Sequence, residues 1–107
     1  MTDWVRVCEV DEIDQEDVIP FALGERQFAI YRSPSDTFHA TDGLCTHEKV
    51  QLADGLVMGQ LIECPKHNGR FDYTTGEAQR MPACINLATY PVKVDEGVVY
   101  LQPDPPD

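Results

Sequence analysis

The sequence predicts a single all-β domain, and three observations carry that expectation. Short runs rich in β-branched and aromatic residues recur along the 107 residues, separated by turn-forming pairs. No window of eleven or more residues holds a clean helical period of apolar positions. The chain is long enough to bury one core and short for an enzyme with its own substrate cleft, which sets the expected domain at 1–102.

The first expected strand, 4–7, alternates Trp4, Arg6 with Val5, Val7. The acidic stretch 10–17 has few apolar residues and reads as a connecting loop with one helical turn. Strands follow at 18–23 and 27–32, joined through Gly24-Glu25, and at 37–40 after Ser33-Pro34-Ser35-Asp36. Asp42-Gly43 and Asp54-Gly55 are turns, 61–63 and 70–73 are short strands, and Thr75-Gly76 closes the latter. The strongest hairpin is 90–101, where strands 88–94 and 98–101 turn at Glu96-Gly97. The segment 103–107, Pro-Asp-Pro-Pro-Asp, lacks most ladder donors and is expected to be a short disordered, frayed tail.

The formal net charge of −11, from 19 acidic and 8 basic residues, repels phosphate backbones and anionic headgroups. Neither nucleic acid nor a membrane is an expected partner. So much acid either solvates the surface or steers the molecule toward a basic patch on a protein. The N-terminus shows no basic region followed by an apolar stretch, and nowhere do 18 apolar residues run together, so the cytoplasm is the expected compartment. In a reducing compartment the four cysteines are metal ligands or buried thiols before they are disulfides.

Two short segments carry the chemistry: Cys45-Thr46-His47 and Cys64-Pro65-Lys66-His67, with 16 residues between them. Each presents one thiolate and one imidazole, and together they make a four-ligand set. Asp42-Gly43 before the first and Asn68-Gly69 after the second let the backbone curl tightly around a compact centre. A structural zinc module would use the same four residues, yet zinc sites usually pair like with like in each arm. A two-iron centre in which cysteines hold one metal and histidines the other gives the mixed arms a reason.

C-T-H followed by C-P-x-H-x-G-x-F resembles the Rieske [2Fe–2S] ferredoxins, specifically the ferredoxin components of multicomponent ring-hydroxylating oxygenases. The likeness extends through Phe38-His39-Ala40-Thr41, Leu52-Ala53-Asp54-Gly55, Phe71 to Thr75-Gly76, Met81-Pro82 and Tyr90-Pro91-Val92. It implies a β-sandwich of three small antiparallel sheets with the cluster-binding loops at one end. It also implies a proline loop at 80–84 over the cluster, and one [2Fe–2S] cluster per chain on Cys45, His47, Cys64 and His67. Family members often have Gly after each ligand histidine; here Glu48 and Asn68 stand there, and Asn tolerates the left-handed conformation well. The wording of the two loops is most similar to ferredoxins of the rhizopine-catabolism type.

The family likeness implies a protein that turns over no substrate itself and passes single electrons from a flavin-containing ferredoxin reductase to a terminal oxygenase, with transient contacts and a monomeric state. A small subunit of a permanent reductase or oxygenase complex is the alternative. Cys8 and Cys84 are expected to be buried thiols, His39 a surface histidine rather than a third imidazole ligand, and Trp4 and Phe71 packing residues. Lys49 and Lys66 are either solvated charges or docking contacts. High-potential relatives place a disulfide where Val50 and Lys66 stand here, and serine and tyrosine hydroxyls at the positions of Gly69 and Phe71. Their absence predicts a low-potential centre.

Overall fold

The computed structural model describes residues 3–46, 49–66, 68–81 and 85–105. Among these residues eleven strands build three antiparallel sheets: β1 (Val5–Glu9), β11 (Val98–Leu101) and β10 (Val92–Asp95); β2 (Asp17–Leu23), β3 (Arg26–Arg32), β4 (Phe38–Asp42) and β9 (Thr89–Tyr90); and β5 (Leu56–Met58), β6 (Leu61–Glu63), β7 (Arg70–Asp72) and β8 (Ala78–Arg80). The helical turn expected in the acidic loop is a 3₁₀ turn at Val10–Glu12, and a second 3₁₀ turn covers Leu52–Asp54. No helix among the described residues is long and apolar enough to cross a membrane.

The strand β3 explains the layering. Its side chains alternate between two cores: Phe28 and Ile30 pack with Cys8, Ile13, Val99 and Leu101, whereas Ala29 and Tyr31 pack with Leu52, Val57, Ile62, Phe71 and Tyr73. The β2-β3-β4-β9 sheet is therefore a middle layer covered on both faces at its centre, so β3 is a nearly continuous apolar run rather than an alternating one.

The β10–β11 hairpin turns at Glu96-Gly97, both at positive φ (50° and 76°), as the sequence predicts. Three expectations need correction. The strand expected at 88–94 is two strands in different sheets, because Pro91 separates β9 from β10 and cannot donate to either ladder. Strands β5 and β8 have no counterpart among the expected strands, whereas the equally short β6 and β7 do. Trp4 is not a core residue: it is 37% exposed and carries the Lys93 ammonium 4.7 Å above its ring. At the other terminus, Arg26 bonds the Asp104 carboxylate at 2.9 Å and the Pro103 carbonyl at 3.1 Å, tethering the first part of the segment expected to fray.

The sheets also send both motif loops to one end of the molecule. Chain leaving β4 at Asp42, opposite Phe28 near the start of β3, enters the first loop directly. At the other end of β3, Arg32 pairs with Asp17, and the neighbouring Glu16 carboxylate accepts the Gly59 N–H at 2.8 Å at the tip of the β5–β6 hairpin. With that tip held at the far end, β6 delivers Cys64 back beside the first loop.

Candidate metal centre

The two loops have the same backbone construction. The Cys45 N–H donates to the Val50 carbonyl at 3.0 Å, and the Cys64 N–H donates to the Gly69 carbonyl at 2.7 Å, so each cysteine opens a six-residue loop closed five residues later. The unequal Cys-to-His gaps in the sequence conceal this equality. Asn68 takes φ 60°, the left-handed position that its short polar side chain accommodates.

Both loops stand on fixed feet. Gly43 donates to the Gln27 carbonyl and accepts from Leu52 N–H, each at 2.8 Å, and Leu44 bridges Gln51. A Cβ on Gly43 would meet the β3 backbone at 2.8 Å, so only glycine allows this approach. Under the second loop Glu63 and Arg70 are cross-strand partners and an ion pair at 2.8 Å. Thr46 donates to the Ile85 carbonyl at 2.7 Å, pinning the first loop to the segment that follows the expected proline loop. No sequence signal announced that bond.

Of the expected ligands, Cys45 and Cys64 are almost wholly buried in the same core as Leu52, Val57, Ile62 and Phe71. His47 and His67 lie outside the described residues, as do Glu48 and three residues of the proline loop, Pro82, Ala83 and Cys84. Phe71 is a core residue as expected. Cys8 is buried in the other core, away from the loops, and its burial raises the thiol pKa.

His39 stands on β4, its Nε2 2.9 Å from Thr37 Oγ1 and its ring 5.6 Å from that of Tyr73. It is partly buried rather than a plain surface residue, and desolvation holds its pKa below the usual imidazole value against the opposing pull of Asp72. Behind the centre, Tyr31 and Tyr73 stack at 4.4 Å with their planes 4° apart. Thr41 gives its proton to the Asp42 carbonyl, so Tyr31 donates to Thr41 across 2.8 Å. Burial pushes Tyr73 up to about 12 and Tyr31 higher still, which keeps both phenols neutral.

Two cysteines at matching positions of twin loops, buried together yet lying at the end of the fold, suit a compact sulfur-ligated centre. The model of the Rieske [2Fe–2S] domain matches residues 3–91 of this chain. The chain belongs to the Rieske [2Fe–2S] domain family. Among its relatives, the ferredoxin component of the naphthalene 1,2-dioxygenase/salicylate 5-hydroxylase systems of a Ralstonia species is 37% identical, over 92% of this chain and 94% of the relative.

Solved Rieske ferredoxins superpose closely. The Sphingomonas yanoikuyae B1 ferredoxin has a TM-score of 0.88 at 33% identity, covering 95% of this chain and 100% of that one. The ferredoxin match in a complex of reduced oxygenase and oxidized ferredoxin in carbazole 1,9a-dioxygenase has a TM-score of 0.87 at 34% identity, covering 92% of each chain. The three-sheet Rieske fold is thus as expected, the cofactor is one Rieske [2Fe–2S] cluster, and the protein is an electron carrier rather than a catalytic enzyme.

Proposed function

We propose that Cys45 and Cys64 hold one iron and His47 and His67 the other, and that this ferredoxin shuttles single electrons from a flavin-containing reductase to a terminal oxygenase acting on an aromatic ring. The observation that carries the ligand assignment is the pair of equal, backbone-closed loops, each opening on a cysteine and containing a histidine. The names of the relatives, ferredoxin components of naphthalene and dinitrotoluene dioxygenase systems, support an aromatic-ring oxygenase over the rhizopine-type partner that the loop wording resembles. When bound, the cluster supplies a one-electron couple. Cys45 and Cys64 bring the anionic ligands from the buried side, where Leu52, Ile62 and Phe71 exclude water. His47 and His67, as the proposed ligands of the other iron, serve in this reading as the electron's exit path as well. Brief contacts, a monomeric carrier and a cytoplasmic setting complete the proposal; the small single domain with its −11 charge supports them.

His67→Ala and His47→Ala are expected to abolish the ordinary visible spectrum of the centre, while His39→Ala leaves it intact. A normal spectrum in His67→Ala sinks the ligand assignment. Iron and acid-labile sulfide analysis separates this centre from a zinc module. Gel filtration of native extract separates the shuttle from a permanent complex, since a diffusible carrier cannot always migrate with a large partner.

A further inference from the structure

The left-handed turn at Asn68 leaves its side chain uncommitted. The residue is exposed, and among the described residues no hydrogen bond holds its side-chain amide. Gly69 follows it. Glycine has no Cβ to shield its own nitrogen, so that nitrogen reaches a preceding asparagine side chain more readily than where a side chain stands in the way. The chain has one other asparagine, and it is the reverse in both respects. Asn86 precedes the bulky Leu87, and its Oδ1 accepts the Ala78 N–H at 2.9 Å.

The folded loop keeps the two reacting groups apart. At φ 60° Asn68 lies in the left-handed well, where a ψ of about 30–60° places the Gly69 nitrogen on the side of the residue away from its Cβ. The loop that fixes this turn is closed by the Cys64 N–H on the Gly69 carbonyl at 2.7 Å. Its ends run into Glu63 and Arg70, which are cross-strand partners and an ion pair at 2.8 Å, and Gly69 itself is buried. Ring closure between Asn68 and Gly69 therefore waits for local opening of the loop. A cluster held through Cys64 opposes that opening, because a group that binds only the folded loop adds its binding free energy to it.

We infer that Asn68 is a modification site gated by the cluster: when the cluster is lost and the loop opens, its side chain cyclises onto the Gly69 nitrogen, and the altered loop no longer takes up a cluster efficiently. The inference rests on the proposed ligands Cys64 and His67, which tie this loop to the iron centre. The Gly69 nitrogen attacks Asn68 Cγ. The new N–Cγ bond forms, the Cγ–Nδ2 bond breaks, and the side-chain nitrogen leaves as ammonia with the amide proton of Gly69. Water then opens the succinimide ring at either carbonyl, giving aspartate or isoaspartate. In isoaspartate the main chain runs through the former side chain and is longer by one carbon. The six-residue loop must then close over a longer path between fixed ends, so the altered chain rebuilds the centre poorly. Cluster loss is thereby recorded in the chain that suffered it.

The test ages the full-length holoprotein beside the same protein stripped of its cluster by chelator, at mildly alkaline pH. Trypsin cuts after Lys66, Arg70, Arg80 and Lys93, so separate peptides report Asn68 and Asn86. Mass spectrometry reads the exchange of the side-chain NH2 for OH, and isoaspartate methyltransferase labels the longer-chain product. The Asn68 peptide should be altered about tenfold or more faster in the stripped protein, equivalent to about 1.4 kcal/mol or more of loop opening, while the Asn86 peptide stays unchanged in both. Cluster uptake by the aged stripped protein, read from the visible spectrum after adding iron and sulfide, should fall in proportion to the isoaspartate formed. Asn68→Gly keeps the left-handed turn without the reactive amide, so its aged stripped form should take up cluster as freshly stripped protein does. Equal rates at Asn68 with and without the cluster, or uptake that declines alike in wild type and Asn68→Gly, overturns the inference. Failure of the underlying ligand assignment shows separately, as a normal iron–sulfur spectrum in His67→Ala, and removes both.

Discussion

Gly69 and Phe71 are two residues whose missing hydroxyls set an expectation for the potential. Phe71 is fully buried in the core that contains Cys45 and Cys64, and Gly69 is buried at the closing bond of the second loop. Neither can donate a side-chain hydrogen bond to an anionic sulfur. A hydrogen bond to a charged group contributes about 1.5–3 kcal/mol, and 1.4 kcal/mol corresponds to about 59 mV for one electron, so each hydroxyl could raise the potential by at most about 65–130 mV. The native midpoint is expected near the lower end of the Rieske span of about −150 to +300 mV. Gly69→Ser and Phe71→Tyr should each raise it in a redox titration at neutral pH. No rise in either variant would mean that these positions do not face the sulfurs, and a native midpoint well above zero would refute the proposed direction of electron flow.

The β5–β6 hairpin shows what a strand-level feature does to the centre. A Cβ on Gly55 would lie 2.1 Å from the Glu63 carbonyl, the residue before Cys64, while Gly59 at the hairpin tip has open space and a φ of +62°. Gly55→Ala must therefore push β5 away from β6 and is expected to cost about 1–3 kcal/mol, with faster loss of the cluster on dilution into chelator. Gly59→Ala carries only the left-handed penalty of about 1–2 kcal/mol and should retain the cluster normally. Urea unfolding and chelator-loss kinetics of the holoproteins compare them; identical cluster loss in both would show that the Gly55 contact does not hold the second loop. The same elements mark how far the sequence could be read. The long strands β2 and β3, the Glu96-Gly97 hairpin and both motif loops were legible because each carries a local signal of residue type. The strands β5 and β8 were not, although the equally short β6 and β7 were: Ala78-Gln79-Arg80 holds no β-branched or aromatic residue, and the pairing of both is decided by the core they cover. Trp4 misled for the opposite reason. Its type predicts burial, but a position before the start of an edge strand leaves it 37% exposed, with the Lys93 ammonium over its ring.

Across the whole molecule, the middle sheet works as a partition with a separate core on each face. One core contains Cys8 and Val99; the other contains the two motif cysteines, Cys45 and Cys64. The stacked Tyr31 and Tyr73 join the loop-bearing sheet to the middle sheet, and the Tyr73 hydroxyl reaches the Gly59 carbonyl at the distal hairpin tip. The loops are thus carried on a scaffold fixed at both ends, which suits an electron carrier: geometry that changes little between oxidation states needs little reorganisation. The two Cys-His motifs were legible in the sequence because each is local. The bond from Thr46 to the Ile85 carbonyl was not, because it depends on which segments the fold brings together.

The tether between Arg26 and Asp104 has a practical consequence for building chimeras. Arg26 begins β3 one position before Gln27, whose carbonyl holds Gly43 at the root of the first loop, so Asp104 leaves the fold close to the proposed exit of the electron. A reductase or oxygenase domain spliced on after Asp104 through a flexible linker would be leashed beside the exit rather than behind it. Tethering of this kind replaces a bimolecular encounter with an effective concentration in the millimolar range for a short linker. Turnover of such a chimera should become independent of dilution, whereas the unlinked pair slows as it is diluted. An equal dependence on dilution in both would place the splice point away from the exit.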